Sequence, residues 1–274
     1  MTVELIDIGI NLTHDSYDSD REQVLQRALE VGVVQCVVTG ASLEGSQAAL
    51  ALSRAAPRIL RATAGCHPHH AVDLDEASFA ALAELAEDPL VAAVGETGLD
   101  YHRNFSAPRE QRSAFERQVD LAIRLQKPLF LHERDAHQDF IAILREHQQS
   151  LPRAVLHCFT GSAEALEACL AFGLYIGITG WICDERRGLH LRELVKKIPV
   201  GRLMVETDGP YLLPRDLRPK PESRRNEPKY LAHIAGVVAA ARGESLEDLA
   251  AHTTATARQF FGLPALGSRV SSER

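Results

Sequence analysis

The segment LFLHERDAHQDFIAILREHQQSLPRAVLHC, residues 129–158, decides the fold. Short apolar runs predict strands over Leu129–His132 and Ala154–His157, and the apolar spacing between them predicts an amphipathic helix over Ala136–Gln148. Two strands separated by one helix imply a right-handed βαβ unit, in which the strands run parallel. Both strands end on a histidine.

The same alternation continues in both directions along the chain. The other predicted strands are Glu4–Ile10, Gln35–Thr39, Ile59–Gly65, Leu90–Gly95, Leu174–Ile178 and Leu203–Glu206. Eight units of this kind in 274 residues predict a single α/β domain over residues 1–274, a closed (β/α)8 or TIM barrel. An open doubly wound sheet is the alternative, and it is disfavoured because no glycine-rich dinucleotide motif follows the first strand.

The C-terminal part extends the barrel pattern. Two further helices are predicted over Lys229–Arg242 and Leu246–Phe261, and residues 265–274 are predicted to form a loose tail. The loop Pro214–Pro228 before these helices is rich in proline and arginine. With Lys229, it carries six basic residues against three acidic ones.

Composition limits the function and the compartment. The formal net charge is −7, so a nucleic acid would have to be attracted by a local basic surface. Five scattered cysteines without a C-x-x-C spacing suit a reducing compartment, and the N-terminus lacks the features of a signal peptide. No apolar run is long enough to span a membrane. We therefore expect a cytoplasmic protein, with no membrane association, no obligate protein partner and a monomeric state by default.

Most predicted strands lead into a polar side chain that can titrate or bind a metal. These residues are Asp7, Asn11, His67, His69, Glu96, His132, His157, Glu206 and Asp208. The carboxyl ends of all barrel strands meet at one mouth, where residues distant in sequence come together. Imidazoles and carboxylates gathered there predict a divalent metal site with positions open to water or substrate.

The strand-end segments also carry a family resemblance. They are GCHPHH (65–70), VGETGLDYH (94–102), FLHERDAH (130–137), LHCFTGS (156–162) and VETDGPYLLPRDLRPKPESRRNEP (205–228). In this order they resemble the successive motifs of the TatD-type deoxyribonucleases, whose barrel is amidohydrolase-like. The segments IDIGINLT (6–13) and GITGWICDERRG (177–188) indicate the branch that gives the family its name.

The resemblance implies a site and an activity. Glu96, His132 and His157 would bind a divalent metal, and Asp208 would serve as a further ligand or as the base for the attacking water. Glu96 and Asp208 are thus the implied catalytic residues. The implied reaction is Mg²⁺-dependent hydrolysis of DNA by a 3′→5′ exonuclease that prefers single strands and also accepts RNA, with a role in DNA repair or turnover.

One departure from the family pattern concerns the number of metal ions. The wider family opens with a D-x-H-x-H motif, whereas this chain has Asp7, Gly9 and Asn11 at the matching positions. We therefore predict one firmly held ion, with Asp7 and Asn11 offering at most a weak second metal site or a position for water. Ligand softness favours Mn²⁺ or Zn²⁺ for two histidines and a carboxylate, and the resemblance implies Mg²⁺. Mg²⁺ is ranked first, Mn²⁺ second and Zn²⁺ last.

Other side chains near the mouth are candidates for binding substrate. The predicted phosphate or sugar contacts are His67, His69, Arg134, Arg224 and Arg225. Tyr101, Phe105 and Trp181 are candidate stacking faces for unpaired bases. Arg134 can equally form a surface ion pair with a neighbouring acid, and each aromatic ring can equally pack against a helix. Five histidines away from strand ends, His233 among them, are interpreted as surface or capping residues.

Two other functions compete with that of a nuclease. A metal hydrolase of carbon substrates, such as a lactonase or amidohydrolase, uses similar ligands but usually keeps the opening histidines and often a bridging lysine. This chain has no lysine at a predicted strand end. A barrel that binds nucleic acid without catalysis is the other alternative, and the intact set of metal-ligand candidates argues against it.

Overall fold

Eight parallel strands form one barrel in the computed structural model, which describes residues 3–265. The strands are β1 (Leu5–Ile10), β2 (Val33–Val38), β3 (Leu60–Ala64), β4 (Val91–Asp100), β5 (Leu129–Arg134), β6 (Ala154–Leu156), β7 (Tyr175–Ile178) and β8 (Leu203–Val205). Each pairs with the next in sequence order. The (β/α)8 prediction is confirmed, and the doubly wound alternative is wrong because the strand order never reverses.

The barrel closes between its first and last strands. Beyond the paired parts of β1 and β8, the amide of Asp208 donates to the carbonyl of Gly9, and the amide of Asn11 donates to the carbonyl of Gly209, both at 2.8 Å. The closure places Asn11 beside Asp208, although the two residues are nearly two hundred positions apart in sequence.

Helices surround the barrel. They are α1 (Arg21–Glu30), α2 (Leu43–Ala55), α3 (Glu76–Glu87), α4 (Pro108–Leu125), α5 (His137–Glu146), α6 (Ala163–Phe172), α7 (Leu189–Leu194), α8 (Leu231–Arg242) and α9 (Leu246–Phe261). Short 3-10 helices, among them Pro68–Asp73 and Gly180–Cys183, occupy loops at the mouth. The two predicted C-terminal helices are present as α8 and α9.

Strand β4 is longer than predicted and runs past Gly95 to Asp100. Gly95 and Gly98 adopt φ values of +133° and +143°, which side chains with a Cβ rarely adopt. A Cβ on Gly98 would lie 1.9 Å from the carbonyl oxygen of His132, so only glycine allows β4 to stay paired with β5 here. The extension brings Asp100 to the mouth, beside His69 and His132.

Helix α9 covers the end of the barrel opposite the mouth. Phe260 and Phe261 pack with the inward-facing side chains of Ile6, Phe130 and Met204 in one buried cluster. Thr254 donates a hydrogen bond to the carbonyl of Glu4, just before β1. Side chains of α9 therefore close the end of the barrel opposite the mouth, and the carboxyl ends of the strands remain the accessible face.

The structure also bears on the predictions for the cysteines, for membrane spans and for the C-terminal tail. All five cysteines are free thiols. In the part of the chain that the structure describes, no helix is long and apolar enough to cross a membrane. The predicted C-terminal tail lies outside the described residues from position 266 onward.

Candidate metal centre and active site

Three histidines converge on one carboxylate oxygen at the barrel mouth. Oε1 of Glu96 lies 2.8 Å from Nε2 of His157 and 3.1 Å from Nδ1 of His132. Nε2 of His67 lies 3.4 Å from the same oxygen. Glu96 comes from β4, His132 from β5, and the other two histidines directly follow strand ends. The structure thus brings together the three predicted ligands and adds His67, for which we had predicted a phosphate or sugar contact.

A second carboxylate lies behind each of two histidines. Nδ1 of His157 is 3.4 Å from Oε2 of Glu206, and Nε2 of His132 is 3.7 Å from Oδ2 of Asp100. In both rings, the nitrogen that faces Glu96 is the other one. A carboxylate on the far nitrogen fixes the tautomer and ring orientation of a metal-binding histidine and makes it a better ligand. Glu206 and Asp100 therefore position His157 and His132.

Burial and the neighbouring charges shift the pKa values of the residues in this cluster. Burial opposes ionisation of Glu96, but the surrounding imidazoles outweigh it and hold the pKa of Glu96 well below its usual range. Burial likewise disfavours a charged His157, but Glu96 and Glu206 raise the pKa of His157 well above normal. Burial lowers the pKa of His67 to about 3, so this imidazole is neutral at neutral pH and free to donate a lone pair.

These residues fit a divalent cation. Nitrogens of His67 and His132 and an oxygen of Glu96 lie within 4.8 Å of one another. His132 Nε2, His157 Nδ1 and Glu206 Oε2 are buried, and among the described residues they have no hydrogen-bond partner. The two nitrogens lie on the sides of the rings that face Asp100 and Glu206, so the opposite nitrogens, which face Glu96, are the ones available to a cation. Imidazole nitrogens with a carboxylate oxygen form a donor set typical of a first-row transition metal, and Mg²⁺ prefers more oxygens.

Asp208 lies beside this cluster and is oriented by Asn11. Nδ2 of Asn11 donates to Oδ1 of Asp208 at 3.0 Å. Burial raises the pKa of Asp208 to about 7; His157 opposes the rise, while Glu96 and Glu206 add to it. Its backbone has a φ of 55°, a region that aspartate tolerates better than most residues. A carboxylate with this pKa can accept or release a proton near neutral pH.

Asp7 forms hydrogen bonds with Thr207 rather than with the histidines around Glu96. Its two carboxylate oxygens accept hydrogen bonds from the backbone amide and the hydroxyl of Thr207, at 2.9 and 2.5 Å. Burial raises the pKa of Asp7 to about 7. The side chain thus ties β1 to the segment after β8. Asn11 serves Asp208, so both side chains that we had considered for a second ion have structural partners.

Steric crowding explains why position 9, in the opening motif, is a glycine. A Cβ on Gly9 would lie 2.4 Å from Oε2 of Glu206 and 3.1 Å from Cζ of Phe130. On the other side, a Cβ on Gly177 would lie 2.5 Å from Oε1 of Glu206. Glu206, which is fully buried, therefore occupies space that any side chain at position 9 would need.

We expect Gly9→Ala to destabilise the protein by about 1–3 kcal/mol, because the added methyl overpacks a filled site. Urea unfolding of the single variants Gly9→Ala and Glu206→Ala and of the double variant would measure this effect. The double variant should be more stable than the sum of the single effects predicts, because removal of the carboxylate makes room for the methyl. Strictly additive effects would mean that Glu206 is not the obstacle.

His69 and Arg134 line the outer part of the mouth. Nε2 of His69 is 2.8 Å from Oδ2 of Asp100, so this histidine holds the carboxylate that orients His132. Arg134 ends β5 and is partly exposed in a groove of about 610 Å³. None of the ion pairs among residues 3–265 involves it, so the predicted alternative of a pair with Glu133 or Asp135 is not formed. Its guanidinium is available to an anion.

The two arginines of the β8–α8 loop differ. Arg225 donates to both oxygens of Asp20, at 2.7 and 2.8 Å, and to the carbonyl of Ser16. These contacts make Arg225 an anchor of the loop, whereas we had predicted that it contacts a phosphate. Asp20 directly precedes α1, but its side chain makes no cap hydrogen bond to that helix. Arg224 is exposed and lines a second groove of about 630 Å³.

Trp181 stands between the two grooves and contributes to the wall of each. The guanidinium of Arg187 covers its ring at 4.3 Å from the centroid. Of the other predicted stacking faces, Tyr101 donates to Asp139 at 2.7 Å, whereas Phe105 is 66% exposed and lies against His69. Trp181 and Phe105 thus remain accessible to a base, and the Tyr101 hydroxyl is engaged in packing the β4 loop.

Sequence reasoning missed Asp100 and the role of Glu206. Asp100 follows Glu96 by four residues, and the signal that could have found it is the pair of glycines in GETGLD, which lets the strand continue. Glu206 was noted at a strand end, but its neighbour Asp208 matched the family motif and received the role. Small residues on the two adjacent strands, Gly9 and Gly177, mark the space that Glu206 fills.

Comparisons with known proteins agree with this geometry. The family model described as TatD related DNase matches residues 6–262. The chain is 53% identical over 261 residues to a protein of Erwinia billingiae named 3′-5′ ssDNA/RNA exonuclease TatD, covering 95% of this chain and 100% of that protein. A protein of the same name from Erwinia amylovora is 54% identical over 259 residues, covering 94% of this chain and 100% of the relative.

A solved structure is also similar. The crystal structure of YJJV, a TatD homologue from Escherichia coli K12, superposes with a TM-score of 0.87 at 29% identity. The match covers 96% of this chain and 100% of that one. The shared architecture therefore extends over the whole barrel.

Proposed function

Since the chain belongs to the TatD-related DNase family, we propose that its barrel mouth hydrolyses phosphodiester bonds of single-stranded DNA and RNA from the 3′ end. The family and the relatives make the chain a metal-dependent nuclease, as the sequence predicted. The observation that carries the assignment to this site is the convergence of His67, His132 and His157 on one oxygen of Glu96.

Glu96, His132 and His157 would hold the cation, with His67 close enough to join them. A divalent cation bound there supplies a water of lowered pKa and polarises a phosphoryl oxygen. Mg²⁺ remains the first choice from the resemblance, and the nitrogen-rich donor set supports Mn²⁺ as a close second. Asp208, oriented by Asn11, would accept the proton of the attacking water.

The substrate backbone would lie along the two grooves that meet at Trp181. Arg134, Lys220 and Arg224 are cationic side chains in their walls that lack an ion-pair partner among the described residues, and the two guanidinium groups suit a phosphate. Trp181 would stack with an unpaired base, supported by Arg187 on its face. Contacts to phosphates and base faces carry little sequence information, in keeping with a nuclease that accepts many sequences.

Incubation of the purified protein with a 5′-labelled single-stranded oligonucleotide and Mg²⁺ or Mn²⁺ tests the proposal. We expect a ladder of products that shorten from the 3′ end, and none in the presence of EDTA. A lactone offered in parallel should stay intact. An uncut oligonucleotide with both metals, or turnover of the lactone alone, would contradict the nuclease assignment.

Arg224 and Arg225 provide a matched pair, since each substitution by alanine removes one positive charge. We expect Arg224→Ala to weaken binding of single-stranded DNA and to lower the slope of log affinity against log salt by about 0.7, the value for one phosphate contact. Arg225→Ala should leave that slope unchanged and lower the free energy of unfolding by roughly 1–3 kcal/mol, because charged hydrogen bonds to Asp20 are lost.

Fluorescence anisotropy at several salt concentrations and urea unfolding would measure the two effects. The reverse pattern, with Arg225→Ala changing the slope and Arg224→Ala changing only stability, would assign the phosphate contact to the other arginine. A cytoplasmic location and a role in DNA repair or turnover are part of the proposal and rest on the resemblance.

A further inference from the structure

A second cluster of metal-ligand side chains lies outside the active site. It consists of Cys183, Asp216 and His233, whose ligand atoms are all within 4.8 Å of one another. Cys183 ends the 3-10 helix after β7, Asp216 lies in the β8–α8 loop, and His233 lies in the first turn of α8. Nε2 of His233 is 2.7 Å from Oδ1 of Asp216. His233, which we had interpreted as a surface or capping residue, is partly exposed and pairs with Asp216.

The chemistry of the three groups is that of a zinc ligand set. A thiol, an imidazole and a carboxylate are the side chains that bind Zn²⁺, with a fourth position open to water. The thiol distinguishes this cluster from the barrel mouth, whose donors are imidazoles and a carboxylate, because a soft thiolate favours Zn²⁺ over Mg²⁺. The thiol is fully buried, and the side chains of Asp216 and His233 are 31% and 33% exposed, which leaves the solvent side open to an ion.

A neighbouring arginine determines which carboxylate oxygen is available. Nη2 of Arg192 lies 3.8 Å from Oδ2 of Asp216, so this oxygen faces a positive charge. The other oxygen, Oδ1, faces His233. Burial raises the pKa of the Cys183 thiol, so without an ion the sulfur keeps its proton and releases it to solvent when a metal binds.

We propose that Cys183, Asp216 and His233 form a binding site for a thiophilic divalent cation, Zn²⁺ first, separate from the catalytic centre and independent of the proposed nuclease function. The site joins α8 to two segments that line one groove. Cys183 follows Trp181 by two residues, and Asp216 is adjacent to Arg215; both neighbours line the groove of about 630 Å³. A bound ion fixes the spacing between these two walls of the groove.

Titration with Co²⁺, a spectroscopic substitute for Zn²⁺, tests the site. The Glu96→Ala variant is used as background so that the mouth contributes little. We expect a thiolate-to-cobalt charge-transfer band in the near ultraviolet that saturates at one equivalent and is abolished by added Zn²⁺. Cys183→Ser and His233→Gln in the same background should lose this band or need at least tenfold more Co²⁺.

Cys158→Ser is the matched control, because this partly buried thiol lies near the catalytic cluster and should leave the band unchanged. Cooperative thermal unfolding checks that each variant folds. If Cys183→Ser does not fold, His233→Gln and Asp216→Asn decide, since both residues are partly exposed. No band in the parent, a band that survives in His233→Gln and Asp216→Asn, or one lost only in Cys158→Ser would each overturn the proposal.

Discussion

Replacing Glu96 by glutamine is expected to reduce hydrolysis of single-stranded DNA by about 10³-fold or more while the barrel stays folded. The change keeps the size of the side chain and removes its charge. Oε1 of Glu96 is the point on which three imidazoles converge, and its charge is what attracts a cation into the buried cluster. A neutral amide oxygen, or an amide nitrogen facing the histidines, cannot do so.

Glu133→Gln is the matched control for this substitution. Glu133 lies next to His132 at the end of β5, and its Oε1 accepts a hydrogen bond from the backbone amide of Ala136. Loss of that charge should change the rate only slightly. Steady-state rates with saturating Mg²⁺ and Mn²⁺, measured beside urea unfolding curves, distinguish a catalytic loss from an unfolded protein. A Glu96→Gln variant with near-parental rates would remove the metal from the mechanism.

Asp208→Asn is expected to lower kcat by a factor on the order of 10²–10⁴, the usual contribution of a general base. Asparagine can still bond to Asn11 and fill the same space, but it cannot accept a proton. Metal binding should change far less than kcat, because Asp208 lies outside the group of atoms that converge on Glu96. Isothermal titration with Mn²⁺ and single-turnover hydrolysis separate the two quantities.

The same residue predicts a pH dependence. Burial raises the pKa of Asp208 to about 7 in the metal-free protein, and a bound cation would lower it. Only the deprotonated form acts as a base, so the parental rate should rise with pH below neutrality, through the lowered pKa of Asp208, and then level off. The residual rate of Asp208→Asn should lack this rise. A parental profile without the rise, or one retained in the variant, would show that another group accepts the proton.

The convergence of the candidate site residues could be predicted because it depends on topology. A parallel barrel brings all strand ends to one mouth, so Glu96, His132 and His157 had to meet once the eight units were identified. Hydrophobic periodicity and strand spacing are properties of the local sequence, so the fold and the meeting of these side chains at the mouth could both be predicted from it.

The roles of Asp100 and Arg225 could not be predicted in the same way. Asp100 reaches His132 only because two glycines with positive φ let β4 continue, a backbone property that a strand pattern does not reveal. Arg225 pairs with Asp20, which lies more than two hundred positions away, so only the folded chain shows that this cation is already engaged. Which charges remain free for substrate is decided by tertiary contacts.

Glu96 Oε1, His132 Nδ1 and His157 Nε2 are the atoms that would hold one divalent cation at the barrel mouth. An anomalous difference map from a crystal soaked with Mn²⁺ tests it most directly. We predict a strong peak within bonding distance of all three atoms, absent from the Glu96→Gln variant. A map with no peak at the barrel mouth, or with its strongest peak away from these three side chains, would contradict the account.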